Sequence, residues 1–220
     1  MTDFERERQR LWSDTHKSGE LVYAMSQSHT MAWWGPGPWG NIHRGFCLGL
    51  AVRWIWLRHG NEDYPLDPGT PTSVFFPDWQ ATRDQTLYMD AQEAARRAGG
   101  KYTFESTIMP VLQNYGMILN PGRTFFRSWC EPGTPCEWVA EAGKGCYLVS
   151  LRAPFSAHAV AMQNEGGDVF RLFDANAGEF RLRGKRPLLA FFTRYLENLY
   201  DRQYHDVRML DIAAPLGNHR

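Results

Sequence analysis

Three residues of this 220-residue chain have the types and surroundings that thiol chemistry needs: Cys47, His158 and Asp174, with Asn41 as a fourth candidate. Cys47 opens the run CLGLAVRWIWLR, in which Leu48, Val52, Ile55 and Trp56 recur at three-to-four spacing. That spacing predicts an amphipathic helix starting at the cysteine. A thiol at a helix start faces unsatisfied N–H groups and the positive end of the dipole, and both favour the thiolate. A thiolate attacks carbonyl carbon, and the oxyanion it creates needs donors. The Cys47 N–H is one. A side-chain amide upstream is another, and Asn41 lies six positions before the thiol. The plainer reading, a small buried core thiol, is the commoner fate of a free cysteine.

A base is supplied by the stretch HAVAMQNEGGDVFRLFDAN, residues 158–176. NEGGD is a turn signal between two alternating runs. A hairpin centred on Gly166 pairs Met162 with Phe170, Val160 with Leu172 and His158 with Asp174, all on one face. The carboxylate would then fix the imidazole tautomer and leave the other ring nitrogen aimed elsewhere. Asn176 shares that face as a spare orienter. An ordinary cross-strand polar pair fits the same pattern.

The remaining candidates are weaker. Cys146 lies in an apolar strand and reads as core; Cys130 and Cys136 flank the turn EPGTP with no helix start or paired base. The four cysteines show neither disulfide-framework density nor a C-x-x-C pair, so a zinc site has little support. His43 lacks an evident carboxylate, His59 ends a helix where a cation is comfortable, and His16, His29, His205 and His219 read as surface positions.

These side chains must be positioned by a fold. The pattern predicts helices over 3–12, 47–58, 79–98 and about 106–115, and a short one in CEWVAEAG. Strands follow at 145–152, 158–163, 168–176 and 178–183, then a helix over 187–203 and a last strand at 207–212. Helices first and an antiparallel sheet later is an α+β arrangement. Residues 26–41 and 60–78 read as Gly/Pro-rich loops, the first carrying Trp33, Trp34 and Trp39.

Composition narrows the function. A 43% hydrophobic content is enough for one sizeable core. The 24 basic and 24 acidic residues cancel, which argues against binding nucleic acid by phosphate neutralisation. No stretch approaches the roughly 20 apolar residues that span a bilayer. The charged start MTDFERERQRLW shows neither a Sec-type signal nor the glycine that N-myristoylation requires.

The order Cys, His, Asp with the acid on a hairpin resembles papain-like cysteine proteases. The words GFCLGLAVRWI around Cys47, AHAVAM around His158 and FDANAGEF around Asp174 resemble one branch in particular, the YopT/AvrPphB-type effector proteases of bacterial pathogens and symbionts. The resemblance spans about 41–183. It implies a papain-like fold with the nucleophile helix packed on an antiparallel sheet, and a peripheral segment 1–25 followed by a single catalytic domain, 26–220. Cys47 is then the nucleophile, His158 the general base and acid, Asp174 the orienter and Asn41 the oxyanion-hole amide. No cofactor is implied. The partner would be a protein substrate of a host cell, reached by a non-Sec route, with the chain acting as a monomer. Ala175 departs from the Pro expected in the Asp-x-Asn word, and the N-terminal region is short for such effectors. A deamidase, transglutaminase or acyltransferase with the same triad, or a non-catalytic binding module presenting the Trp-rich loop, are the alternatives.

Overall fold

The computed structural model describes residues 2–17, 19–27, 46–64, 79–100, 103–128, 131, 133–154, 156–200 and 203–214. Asn41, Cys130, His29, His43, His219, the Trp-rich loop beyond Gln27 and residues 65–78 lie outside them.

The described chain runs α1 (Asp3–Thr15), β1 (Gly19–Ala24), α2 (Cys47–His59), α3 (Trp79–Arg97), α4 (Phe104–Asn114), β2 (Ile118–Arg127), α5 (Thr134–Ala142), β3 (Gly145–Arg152), β4 (Ala157–Gly166), β5 (Val169–Asp174), β6 (Gly178–Arg183), α6 (Lys185–Arg194), a π-helical turn (Tyr195–Leu199) and β7 (Asp206–Ala213). The seven strands form one antiparallel sheet in the order β1-β6-β5-β4-β3-β7-β2. This is the α+β arrangement that the sequence predicts.

Both faces of the sheet are covered, and strand alternation explains how. On β3, Cys146 and Leu148 join one core with α2, α3 and α4, while Tyr147, Val149 and Leu151 join a second core with α5, α6 and the π turn. β4 divides likewise, Ala159 and Ala161 to the first core, Val160 and Met162 to the second. Helix α2 is therefore clasped between sheet and helices. Leu48, Gly49, Leu50, Ala51, Val52, Trp54, Ile55, Leu57 and Arg58 are all buried, so the single apolar stripe expected from Leu48, Val52, Ile55 and Trp56 underestimates it, and Trp56 is one of its less buried positions. A helix apolar nearly all round belongs inside.

The structure corrects four further expectations. Segment 1–25 is not simply peripheral: β1 pairs with β6 at the sheet edge, and Arg8 on α1 is buried. The strand β2 has no counterpart in the sequence reading, because Pro121 and Gly122 interrupt its alternation at the shift in its pairing with β7. The helix expected over 187–203 stops at Arg194 and continues as the π turn. The β4–β5 ladder pairs Met162 with Leu172 and Asn164 with Phe170, two residues from the predicted register. Gly167 and Asp168 both have positive φ (59° and 61°), so the tight turn sits there rather than on Gly166, and a register shift follows Asn164. A two-residue displacement keeps every side chain on its face.

Candidate active site

Cys47 is the first residue of α2 and is half-buried. The helix start is held from two sides. The Phe46 N–H donates to Gln27 Oε1 (3.1 Å), and the Leu48 and Gly49 N–H groups donate to Gln85 Oε1 on α3 (3.2 and 3.3 Å). These contacts satisfy donors that a helix start leaves without intrahelical partners.

His158, at the beginning of β4, is buried and lines the same cleft as Cys47, close enough for the two groups to be electrostatically coupled. Its Nε2 lies 2.7 Å from Asp174 Oδ1. In the observed register the two residues are diagonal rather than directly opposed, still on one face and within reach of long side chains. Asp174 is fully buried and saturated with donors. Oδ1 also accepts the Asn176 N–H (2.8 Å), and Oδ2 accepts the hydroxyls of Tyr195 and Tyr200, each at 2.7 Å. Tyr200 Oη lies 3.0 Å from His158 Nε2 and accepts from Asn176 Nδ2 at 3.1 Å.

The two tyrosines reach one carboxylate oxygen because of the π turn. Along an α-helix, position 200 would lie about 140° round the axis from position 195. The wider turn at Tyr195–Leu199 brings Tyr200 back toward the same side.

Charge is distributed accordingly. For Cys47, burial opposes ionisation, but the His158 charge, its hydrogen bond and the Ala159 backbone N–H outweigh it and bring the thiol below its ordinary value. For His158, burial disfavours the cation, yet Asp174 and Cys47 overcome it and raise the imidazole to about 10. For Asp174, burial is again outweighed, by His158, the Asn176 amide and Tyr200, so the carboxyl titrates below its usual range. Burial and the Asp174 charge hold Tyr195 and Tyr200 well above normal, so both remain donors. The three groups thus favour a thiolate, an imidazolium and a carboxylate in a row.

The turn after Asp174 is clamped by the N-terminal segment. Gln27 Nε2 donates to Asn176 Oδ1 (2.6 Å), so one glutamine bridges the start of α2 and this turn. The Gln27 N–H donates to Ala175 O (2.7 Å), Trp12 Nε1 to Ala177 O (2.6 Å), and Arg8 to Ser26 Oγ (2.7 Å) and Asn176 O (3.3 Å). The cleft beside Cys47 and His158 is lined by Gln85, Tyr88 and Met89 on α3 and by Arg152, Ala153, Pro154, Ser156 and Ala157.

The structure thus brings Cys47, His158 and Asp174 together from three distant elements; Asn41 lies outside the described residues. Sequence reasoning missed Tyr195, Tyr200, Gln27 and Gln85. Tyr195 and Tyr200 stand five apart, a spacing without meaning in an α-helix, and neither glutamine has a local motif. The other candidates also resolve. Cys146 is core, its thiol pushed up to about 12 by burial. Cys136 sits in the first turn of α5, the short helix expected in CEWVAEAG, and is fully buried. His59 does not serve as a cation at a helix end: it bonds Ile212 O (3.0 Å) and burial lowers its pKa. Among the described residues no cluster of His, Cys, Asp and Glu could hold a metal ion, and no helix is long and apolar enough to cross a membrane.

A seven-stranded antiparallel sheet with a cysteine-headed helix on one face and histidine and aspartate on neighbouring strands is the papain-like α+β fold. Solved structures agree. The chain is similar to the Pseudomonas avirulence protein AvrPphB (20% identity, TM-score 0.61, covering 78% of this chain and 93% of that one). It is also similar to PatoxP, the cysteine protease-like domain of the Photorhabdus asymbiotica toxin PaTox (12% identity, TM-score 0.50, covering 95% of this chain and 58% of that one). No family model matches the sequence, and no curated protein does.

Proposed function

We propose that the chain is a cysteine-type peptidase with Cys47 as nucleophile, His158 as general acid and base, and Asp174 as the group that orients the ring. One observation carries the reading: a buried imidazole shares a cleft with a helix-start thiol, is electrostatically coupled to it, and hydrogen-bonds a carboxylate that accepts four donors. The Cys47 thiolate adds to the carbonyl carbon of a peptide bond. His158 gives its proton to the departing amine as the C–N bond breaks, leaving a thioester. Water then attacks the thioester and passes a proton to His158, and the acid product leaves with the sulfur restored as thiolate.

The substrate is proposed to be a host protein, met after delivery into the host cell as an effector. The avirulence protein and the toxin domain that share the fold support that setting. The chain is proposed to act as a monomer, consistent with Cys47, His158 and Asp174 lying on one chain.

The test is mass spectrometry of host-cell protein treated with the purified chain. Backbone scission is expected, lost in Cys47→Ala and in His158→Ala with the fold retained, and reduced to a lesser degree in Asp174→Ala. Full cleavage by either of the first two variants would end the assignment. A deamidation mass shift or an amine adduct without scission would move it to a transferase using the same three residues.

A further inference from the structure

We propose that Arg8 is a positioning residue of the site, a buried cation that balances the charge of Asp174; this rests on the peptidase reading above. In their charged forms Cys47, His158 and Asp174 sum to one negative charge, and a net charge away from water is costly unless an opposite one lies near. Asp174 also acts in two directions. Its charge holds the proton on His158 and works against ionisation of Cys47. A cation near Asp174 weakens both effects. His158, raised to about 10, loses little by that, whereas the thiolate gains.

Helix α1 delivers that cation. Its start is capped reciprocally, Glu5 N–H to Thr2 Oγ1 (3.2 Å) and Thr2 N–H to Glu5 Oε2 (2.8 Å). Phe4, Arg8 and Trp12 then recur every four residues, which places them on one helix face. Phe4 meets the Tyr200 ring edge-on at 5.8 Å, and Trp12 donates to Ala177 O. Arg8, between them, is only 2% exposed. Its guanidinium carbon lies 5.0 Å from the centre of the Trp12 ring and 5.9 Å from that of Phe4. It donates to Ser26 Oγ and Asn176 O, both neutral oxygens. Asn176 gives its own N–H to Asp174 Oδ1 and its side-chain amide to Tyr200, so Arg8 and Asp174 hold the same residue. Burial lowers the Arg8 pKa, and the charges of Glu5, Asp174 and Tyr200 work against that. A guanidinium keeps its proton under such conditions, where an ammonium yields it more readily. The other groups acting on Asp174 are His158 from β4, Cys47 from α2, and Tyr195, Tyr200 and Tyr204 from beyond α6. His158 and Arg8 are the two cations of this set.

The two ionisations are read directly in the full chain, without substrate. Thiolate ultraviolet absorbance, taken as the difference from Cys47→Ala, reports Cys47. NMR of isotope-labelled histidine rings, assigned against His158→Ala, reports His158. Arg8→Gln loses the charge and keeps a donor for Asn176 O, Arg8→Met loses both, and Arg8→Lys keeps a cation at neutral pH. With the charge gone, the Cys47 and His158 midpoints are both expected to move to higher pH, by roughly 0.5–1 in Arg8→Gln and Arg8→Met. Arg8→Lys is expected to hold the Cys47 midpoint near that of the wild type. A side chain that only braces the turn gives a different signature. Asp174 then slips from His158, and the imidazolium midpoint falls instead of rising. That result overturns the proposal, and so do unmoved midpoints with a lowered Tm, which restrict Arg8 to stability. Failure of all three variants to fold also overturns it, by making Arg8 a requirement of the fold. Midpoints that move as expected in a chain that leaves host-cell protein uncut keep the coupling of Arg8 to Asp174 and end the peptidase reading.

Discussion

Asp174 determines the state of the site at the scale of single residues. A fully buried carboxylate is costly unless its lone pairs are met, and here His158, the Asn176 amide, Tyr195 and Tyr200 meet them. Tyr200→Phe removes a donor to a charged acceptor, a loss of about 1.5–3 kcal/mol. It is expected to lower kcat/KM by about tenfold. Because the lost bond favoured the anion, the Asp174 pKa must rise, and the acid limb of the pH–rate profile should move to higher pH. An unshifted limb would make Tyr200 mere packing. At the alkaline end the sign is opposite. The His158 pKa is raised to about 10, so the imidazolium is present below that pH, and activity should fall as pH climbs through it because the leaving amine loses its acid. A pH–rate profile of the wild type checks this. The positions of Cys47, His158 and Asp174 were legible in the sequence because each has a local signal: a helix start, a strand start and a strand end around a Gly-Gly turn. The tyrosines were not, because their alignment depends on a backbone irregularity.

Among the secondary-structure elements, the contact between α2 and α3 sets the start of the helix that carries Cys47. Gly49→Ala drives a methyl group into the Ala81 carbonyl, so the helices must part and Gln85 must leave the Leu48 and Gly49 amides. Overpacking of this kind costs about 1–3 kcal/mol. Denaturant unfolding should show that loss, and Cys47 alkylation should slow with it; unchanged stability would mean that the helices are not pinned there. Sequence patterns identified the strands at 145–152 and 178–183 because alternation between two apolar cores is regular there. β1 and β2 escaped notice because an edge strand packs less and alternates less: β2 is exposed along much of its length. The hairpin register was misjudged by two residues because positive φ at a non-glycine, Asp168, moved the turn. The face survived because that displacement is even.

For the whole molecule, the N-terminal segment holds the turn that follows Asp174. Trp12 holds Ala177 O, Arg8 holds Asn176 O, and Gln27 ties that turn to the start of α2. Trp12→Phe keeps the ring and loses the donor, about 1 kcal/mol. In a domain of this size that is a Tm lower by roughly 2–4 °C, and kcat/KM should fall with it if the clamp holds Asp174 in place. A lower Tm with kcat/KM intact would restrict α1 to stability.

The central claim is that Cys47 is a thiolate made reactive by an adjacent imidazolium. Its most direct test is the rate of Cys47 alkylation by iodoacetamide against pH, with the labelled residue identified by peptide mass spectrometry. The account predicts selective labelling of Cys47 with a midpoint below the ordinary thiol value of about 8.5, moved upward in His158→Ala because burial then acts without its counter-charge. An unreactive Cys47, or a midpoint that His158→Ala leaves in place, would contradict it.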